Sequence, residues 1–223
     1  NAAAYTAVDD AETNSETATA VNARAVGYLA HLAKQENCIF VHFSTDYVFD
    51  GTKKTAYSET DICNPISAYG QSKYLGEQAC ISATPAYYIF RVQWLFGPGK
   101  SHFVQTMTRL MQEKESLSVV NDQWGSLTYT PALARYVVAC LETQPEFGVY
   151  HCTAGDNGTW FDVATEIAKH IGYKGELSPV ATTAYPRPAK RPLNGRLSCD
   201  KFDKAVGIQR ISWQDNLATY LND

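Results

Sequence analysis

Residues 38–51 read CIFVHFSTDYVFDG. The first six are apolar except for one histidine, and the chain then turns polar at Ser44, Thr45 and Asp46. A short, nearly continuous apolar run is the mark of a strand covered on both faces, as in parallel sheets lying between helices. Ligands of such sheets sit at the C-terminal ends of the strands, which here is the Ser-Thr-Asp step.

The surroundings continue the pattern. Val21, Ala25, Val26, Leu29, Leu32 and Ala33 recur at helical spacing, which predicts a helix over 17–36. A polar loop containing Pro65 leads to SAYGQSKYLGEQA at 67–79 and a helix from Ala68 to Ser82. YYIFRVQWLF at 87–96 reads as a second buried strand, closed by Gly-Pro-Gly. A helix over 103–114, a strand at 117–122 and a helix over 131–141 follow, the last with Thr130 as N-cap and Pro131 at its first position. GVYHCTA at 148–154 is a strand. Residues 159–173 are a helix capped near Thr159, with Gly172 near its end. Residues 177–192 are extended and broken by prolines. Two short helices end the chain, with Ser198 and Ser212 as caps. Strands alternating with helices make an α/β protein with a parallel sheet.

Composition narrows the function. The net charge of −4 argues against a nucleic-acid backbone as partner. No apolar run is long enough to cross a bilayer. The six cysteines are scattered without a Cys-x-x-Cys and read as reduced thiols of a cytoplasmic protein. The histidines form no metal-binding motif, so no metal site is expected.

The pair Tyr69 and Lys73 carries the chemistry. With 14 tyrosines and 11 lysines in 223 residues, chance placement yields about 0.7 such four-residue spacings, so spacing alone says little. On a helix the two share a face. A nearby ammonium stabilises a phenolate and would bring the phenol pKa down toward working pH, making a proton donor. Thr45, or Ser44 beside it, could share the oxyanion of a carbonyl substrate. Strand alternation points only one of the two inward.

NAAAYTAVDDAE, STDYVFDG, YGQSKYLGE, FRVQWLFG, NDQWGSLT and YPRPAKRPLNGRLSCDKF stand in the order found in dTDP-4-dehydrorhamnose reductases, and the chain resembles that branch of the extended short-chain dehydrogenases/reductases from Asn1 to Asp223. The resemblance implies a Rossmann-type doubly wound parallel sheet. Residues 1–120 would belong to its NAD(P)-binding domain. Residues 121–223 would form mainly a smaller α/β domain for the nucleotide sugar, with some chain crossing back. It implies NADPH or NADH as cofactor and reduction of the 4-keto group of dTDP-4-dehydro-L-rhamnose. By the same resemblance Tyr69 donates the proton, Lys73 tunes it and holds the nicotinamide ribose, and Thr45 binds the reacting oxygen. Ala3, Ala4, Tyr5 and Asn22 would line the cofactor. Asp46, Tyr47 and Trp94 would contact the sugar, and Asn194 and Arg196 the nucleotide or its diphosphate. A homodimer, with Mg²⁺ at its contact in some relatives, is a further implication. Trp160 and Trp213 read as packing residues.

The sequence departs from that pattern in places. None of the 14 glycines forms the glycine-rich phosphate loop of dinucleotide folds. The expectation is that on the order of 60 residues precede Asn1 in the intact protein, and that residues 1–223 alone neither hold the cofactor tightly nor turn over. Gln93 replaces a common serine, Leu127 a proline, and Gly195 a serine. Two other readings compete. One is an epimerase or dehydratase of the same family, although dehydratases carry an acidic residue where Tyr47 stands. The other is a non-catalytic subunit resembling the regulatory partner of methionine adenosyltransferase.

Overall fold

The structure is a computed structural model, and it describes residues 1–99 and 102–222. Helix α1 (Ser15–Thr19), a π-helical turn (Ala20–Arg24) and α2 (Ala25–Gln35) run on without a break. Strand β1 (Phe40–Thr45) follows, two residues later than the apolar run begins. Helix α3 (Ala68–Ala83) and β2 (Tyr87–Val92) complete the first α/β unit. The expected strand 87–96 breaks at Gln93–Trp94 and resumes as β3 (Leu95–Phe96). Trp94 adopts a left-handed backbone (φ 46°), unusual for a bulky residue, and this turns the chain out of the sheet.

Then come α4 (Phe103–Glu113), β4 (Ser116–Val120), β5 (Trp124–Gly125), β6 (Thr128–Tyr129) and α5 (Thr130–Thr143). Thr130 is the first residue of α5 rather than its cap. Tyr129 takes the cap position and has no side-chain cap bond. β7 (Gly148–His151), β8 (Gly158–Thr159), α6 (Trp160–Ile171) and β9 (Glu176–Val180) follow, the last overlapping the start of the stretch read as merely extended. Thr159 and Asp162 close a capping box on α6, and Gly172 ends it in the left-handed conformation. Helices α7 (Asp200–Val206) and α8 (Trp213–Asn222) finish the chain. Ser212 accepts from the Asp215 amide at 3.0 Å, as a cap should. Cys199, not Ser198, takes the cap position of α7.

The main sheet is parallel, in the order β1-β2-β7. Its third strand thus comes from beyond residue 120, whereas β4, before residue 120, pairs in parallel with β9. Phe40, Ile89 and Cys80 pack with Val26 and Ala30 of α2 on one face. Tyr88, Phe90 and Tyr150 join the larger core with α5 and α7 on the other. Each strand is therefore sandwiched, which is why its sequence is apolar without alternation.

Helix α3 is set unusually deep, burying Gly70, Ser72, Lys73, Gly76, Glu77 and Cys80. Its two glycines allow this. A Cβ at Gly70 would overlap the Tyr47 carbonyl, and one at Gly76 the Asn22 carbonyl. Asn22 lies in the π-helical turn, a local widening often found near functional sites.

Candidate active site

Strand β1 ends at Thr45, and α3 begins at Ala68 with Ser67 as cap, its hydroxyl accepting from the Gly70 amide at 3.1 Å. Glu12 adds a carboxylate on the Ala68 amide at 2.8 Å, favourable at the positive end of a helix. Tyr69 and Lys73 therefore start α3 one turn apart, facing the end of β1. Of the two hydroxyls there, Thr45 points to the site: it donates to Asp46 Oδ1 at 3.1 Å and opposes Tyr69. Ser44 is buried the other way, and its hydroxyl has no partner among the described residues.

The tuning of Tyr69 differs from the sequence expectation. Burial pushes its phenol up to about 12, with the Thr45 hydroxyl pulling back and the Asp46 carboxylate adding to the rise. The Lys73 ammonium is turned away, donating to the Phe43 carbonyl at 2.6 Å and approaching His42 Nε2 at 3.5 Å. Burial brings Lys73 down to about 8, against the attraction of Glu77. Desolvation is the largest effect on both groups because both are buried. His42 is brought down to about 3 by burial and by Lys73, so it is a neutral acceptor for that lysine. The sequence reading missed His42, although its polarity inside an apolar strand was the available signal.

Asp46 is fully buried and raised to about 7 by desolvation, with Thr45 and Gln93 hydrogen bonds opposing. Tyr47 lays its ring edge-on against Tyr69, centroids 5.5 Å apart. Its own phenol is pushed far up by burial, and it approaches Arg191. Arg191 in turn makes a bidentate pair with Asp9 (3.0 and 2.9 Å), tying the first segment of the chain to the loop after β9.

Asn22 is wholly buried, and its amide is engaged within the chain. It brackets the Tyr5 backbone (2.8 and 3.0 Å) and reaches Ser72 at 2.9 Å. It therefore shapes residues 3–5, where Ala3 is exposed and Ala4 and Tyr5 are half-buried. Asn194 is engaged in the same way. Its amide donates to the Lys53 and Thr55 carbonyls (2.6 and 2.8 Å) and its oxygen accepts from Arg196 Nε at 2.8 Å. Arg196 also donates to the Lys54 carbonyl and lies over the Trp124 ring. Both side chains hold the 51–57 loop together.

Trp94 stacks flat on Trp160, centroids 3.7 Å apart, and Phe103 packs on Trp160 in turn. Gly125 permits this, since a Cβ there would sit 2.7 Å from the Trp94 ring. Trp160 is thus more than packing: with Phe103, Gln123, Thr182, Arg187 and Arg191 it lines a cleft of about 750 Å³. An aromatic wall facing guanidinium groups suits a base attached to phosphates. No cue in the local sequence joins these residues, which come from four separate segments. Among the described residues no group of three or more His, Cys, Asp or Glu could hold a metal, and no helix is long and apolar enough to cross a membrane.

The family model for the RmlD substrate binding domain matches residues 1–223. A dTDP-4-dehydrorhamnose reductase of Aggregatibacter actinomycetemcomitans is 41% identical over 96% of this chain and 76% of its own length. That of Salmonella typhimurium is 39% identical over 96% and 75%. Among solved structures, a dTDP-4-dehydrorhamnose reductase from Clostridium acetobutylicum superposes with a TM-score of 0.95 at 38% identity, over 98% of this chain and 78% of that one. One from Bacillus anthracis, in complex with NADP, gives 0.94 at 34% identity with the same coverage. With its whole length matched by that model and its Thr45–Tyr69–Lys73 cluster at the end of β1, the chain belongs to the dTDP-4-dehydrorhamnose reductase family.

Proposed function

We propose that the protein reduces the 4-keto group of dTDP-4-dehydro-L-rhamnose to dTDP-L-rhamnose with hydride from NAD(P)H. The observation that carries this reading is the convergence of Thr45, Tyr69 and Lys73 at the carboxyl end of β1, with Tyr47 against Tyr69 reaching Arg191 in the wall of the aromatic and cationic cleft. The residues present suit the nicotinamide-ribose end of the cofactor. The Lys73 ammonium has three donors, and two of them face Phe43 and His42. The third is left for a ribose hydroxyl, next to the Asn22-pinned segment 3–5. The cofactor, when bound, supplies the hydride that reaches the sugar C4.

Tyr69, held neutral by burial, keeps its proton until charge develops on the ketone oxygen. An alkoxide is a far stronger base than a phenolate of pKa about 12, since even water ionises only near 15.7. Transfer from Tyr69 to that oxygen is therefore downhill. Thr45, its proton on Asp46, orients the Tyr69 phenol through its oxygen, and the sugar rests against Asp46 and Tyr47. The cleft between Trp160 and Arg187/Arg191 takes the nucleoside diphosphate. A homodimer is part of this reading, and its test is the mass in solution. Tyr47, where dehydratases need an acid, argues against that alternative.

The test is NAD(P)H oxidation at 340 nm by the full-length protein with the keto-sugar nucleotide, wild type against Tyr69→Phe. We expect wild-type turnover and a loss of about 10²–10⁴-fold in the variant, with unchanged circular dichroism. A wild-type protein inert toward this substrate would overturn the reading, and a Tyr69→Phe variant of near-normal rate would move the proton donor elsewhere.

A further inference from the structure

Gln93, the residue at which β2 breaks, is 3% exposed and carries a fully committed amide. Its Nε2 donates to the Gly195 carbonyl at 2.9 Å and to Asp46 Oδ2 at 3.2 Å. Its Oε1 accepts from the Ser126 amide at 2.9 Å. Reversing the amide would set NH₂ against an N–H and oxygen against a carboxylate, so its orientation is determined by its partners. Two glycines form the slot around it. A Cβ at Gly195 would overlap Asp46 Oδ2 and lie 2.9 Å from Gln93 Nε2, and a Cβ at Gly125 would lie 2.8 Å from the same nitrogen. One side chain thus joins the end of β1, the β5–β6 turn and the 194–196 segment. The other Asp46 oxygen takes the Thr45 hydroxyl proton.

We propose that Gln93 is a positioning residue that acts through Asp46: by fixing one carboxyl oxygen it holds the other for the Thr45 hydroxyl proton, which turns the Thr45 oxygen toward the Tyr69 phenol, and it locks the 194–196 segment against the site. The titratable groups facing Asp46 are Tyr47 beside it and Tyr69 from α3, both phenols held neutral by burial, with the Arg191–Asp9 pair beyond Tyr47. Gln93 is the side-chain amide donor on the carboxyl, joined by the Thr45 hydroxyl and the backbone N–H groups of Asp46 and Tyr47. Its hydrogen bond favours ionised Asp46, so its loss moves any step governed by that carboxyl to higher pH.

This inference rests on the reductase reading, and the experiment separates the two. Wild type, Gln93→Glu and Gly195→Ala are compared in the same assay across pH 5–9. Gln93→Glu keeps the length and the acceptor for Ser126 while placing a carboxyl against Asp46. Gly195→Ala crowds Asp46 and the amide without altering Gln93. We expect wild-type turnover, and in both variants an Asp46-governed step in kcat/KM displaced upward by about one pH unit. We also expect kcat lowered about tenfold or more with KM for the nucleotide sugar changed less than about threefold. Failure of the wild type alone would sink the reductase reading. An active wild type accompanied by variants whose profile and kcat are unmoved, or whose activity falls with the profile unmoved, would overturn the role assigned to Gln93.

Discussion

Tyr69 and Lys73 show how far side-chain chemistry depends on where the backbone puts it. Their spacing places them on one face of α3, as helical geometry requires. Yet Lys73 gives its ammonium to the Phe43 carbonyl, and burial raises the phenol instead of lowering it. The consequence for Lys73 is testable. Its folded pKa of about 8 lies below the ordinary 10.5. Between those values the unfolded chain binds the extra proton, so this lysine's contribution to stability grows as pH rises from 8 to 10.5. Lys73→Met is expected to flatten that rise in urea-denaturation midpoints measured across the window. Asn194→Ala is a second case. It leaves the Lys53 and Thr55 carbonyls unpaired and frees Arg196, and should cost about 2 kcal/mol in the same assay.

At the scale of elements, the junction of α3 with the π-helical turn decides the depth of the site. Gly76 lets the Asn22 carbonyl approach, and Asn22 in turn holds Tyr5 and Ser72. Gly76→Ala is expected to destabilise the protein by about 1–3 kcal/mol through overpacking, read from chemical denaturation, and to lower reductase activity by lifting Lys73 from β1. Much of this level was legible beforehand. The apolar strands, the helix opening at Ala68 and the capped helix after Thr159 follow from local pattern. The π-turn, the break at Trp94 and the pairing of β9 with β4 were not legible. Each answers to a partner distant in sequence: Gly76, Trp160 and β4 respectively.

Across the whole molecule, one buried charged network joins strands to loops. Arg91 on β2 pairs bidentately with Glu77 of α3 (2.9 and 2.7 Å) and approaches Cys63 and His151. His151 Nδ1 faces the Tyr57 and Ser198 carbonyls at 3.1 Å each, so it carries the proton, and Nε2 accepts from Arg91. Charging that ring beside a guanidinium is opposed, and burial brings His151 down to about 3, as it does His42. Below the ordinary pKa of 6.5 the unfolded chain therefore takes up protons that the folded chain refuses. Stability should fall as pH drops from 6.5 toward 3, although Asp46, raised to about 7, contributes the opposite slope between 3.8 and 7. Two histidines outweigh one aspartate. Thermal melts across pH 3–7 should show the decline, and His151→Gln should shallow it. Glu77→Gln is expected to cost about 3 kcal/mol or more, because it leaves Arg91 buried without its countercharge.

By itself the sequence determined the α/β alternation, the resemblance to the reductases, and the identity of the residues that gather at the end of β1. These follow from periodicity, from capping and from the order of motifs, all of which are local or linear. The three-dimensional fold alone decided which hydroxyl faces the site, that Asn22 and Asn194 bind their own backbone, that Gln93 clasps Asp46, and that the phenol is raised rather than lowered. Burial and hydrogen-bond geometry are properties of segments brought together from across the chain, and no window of neighbouring residues carries them.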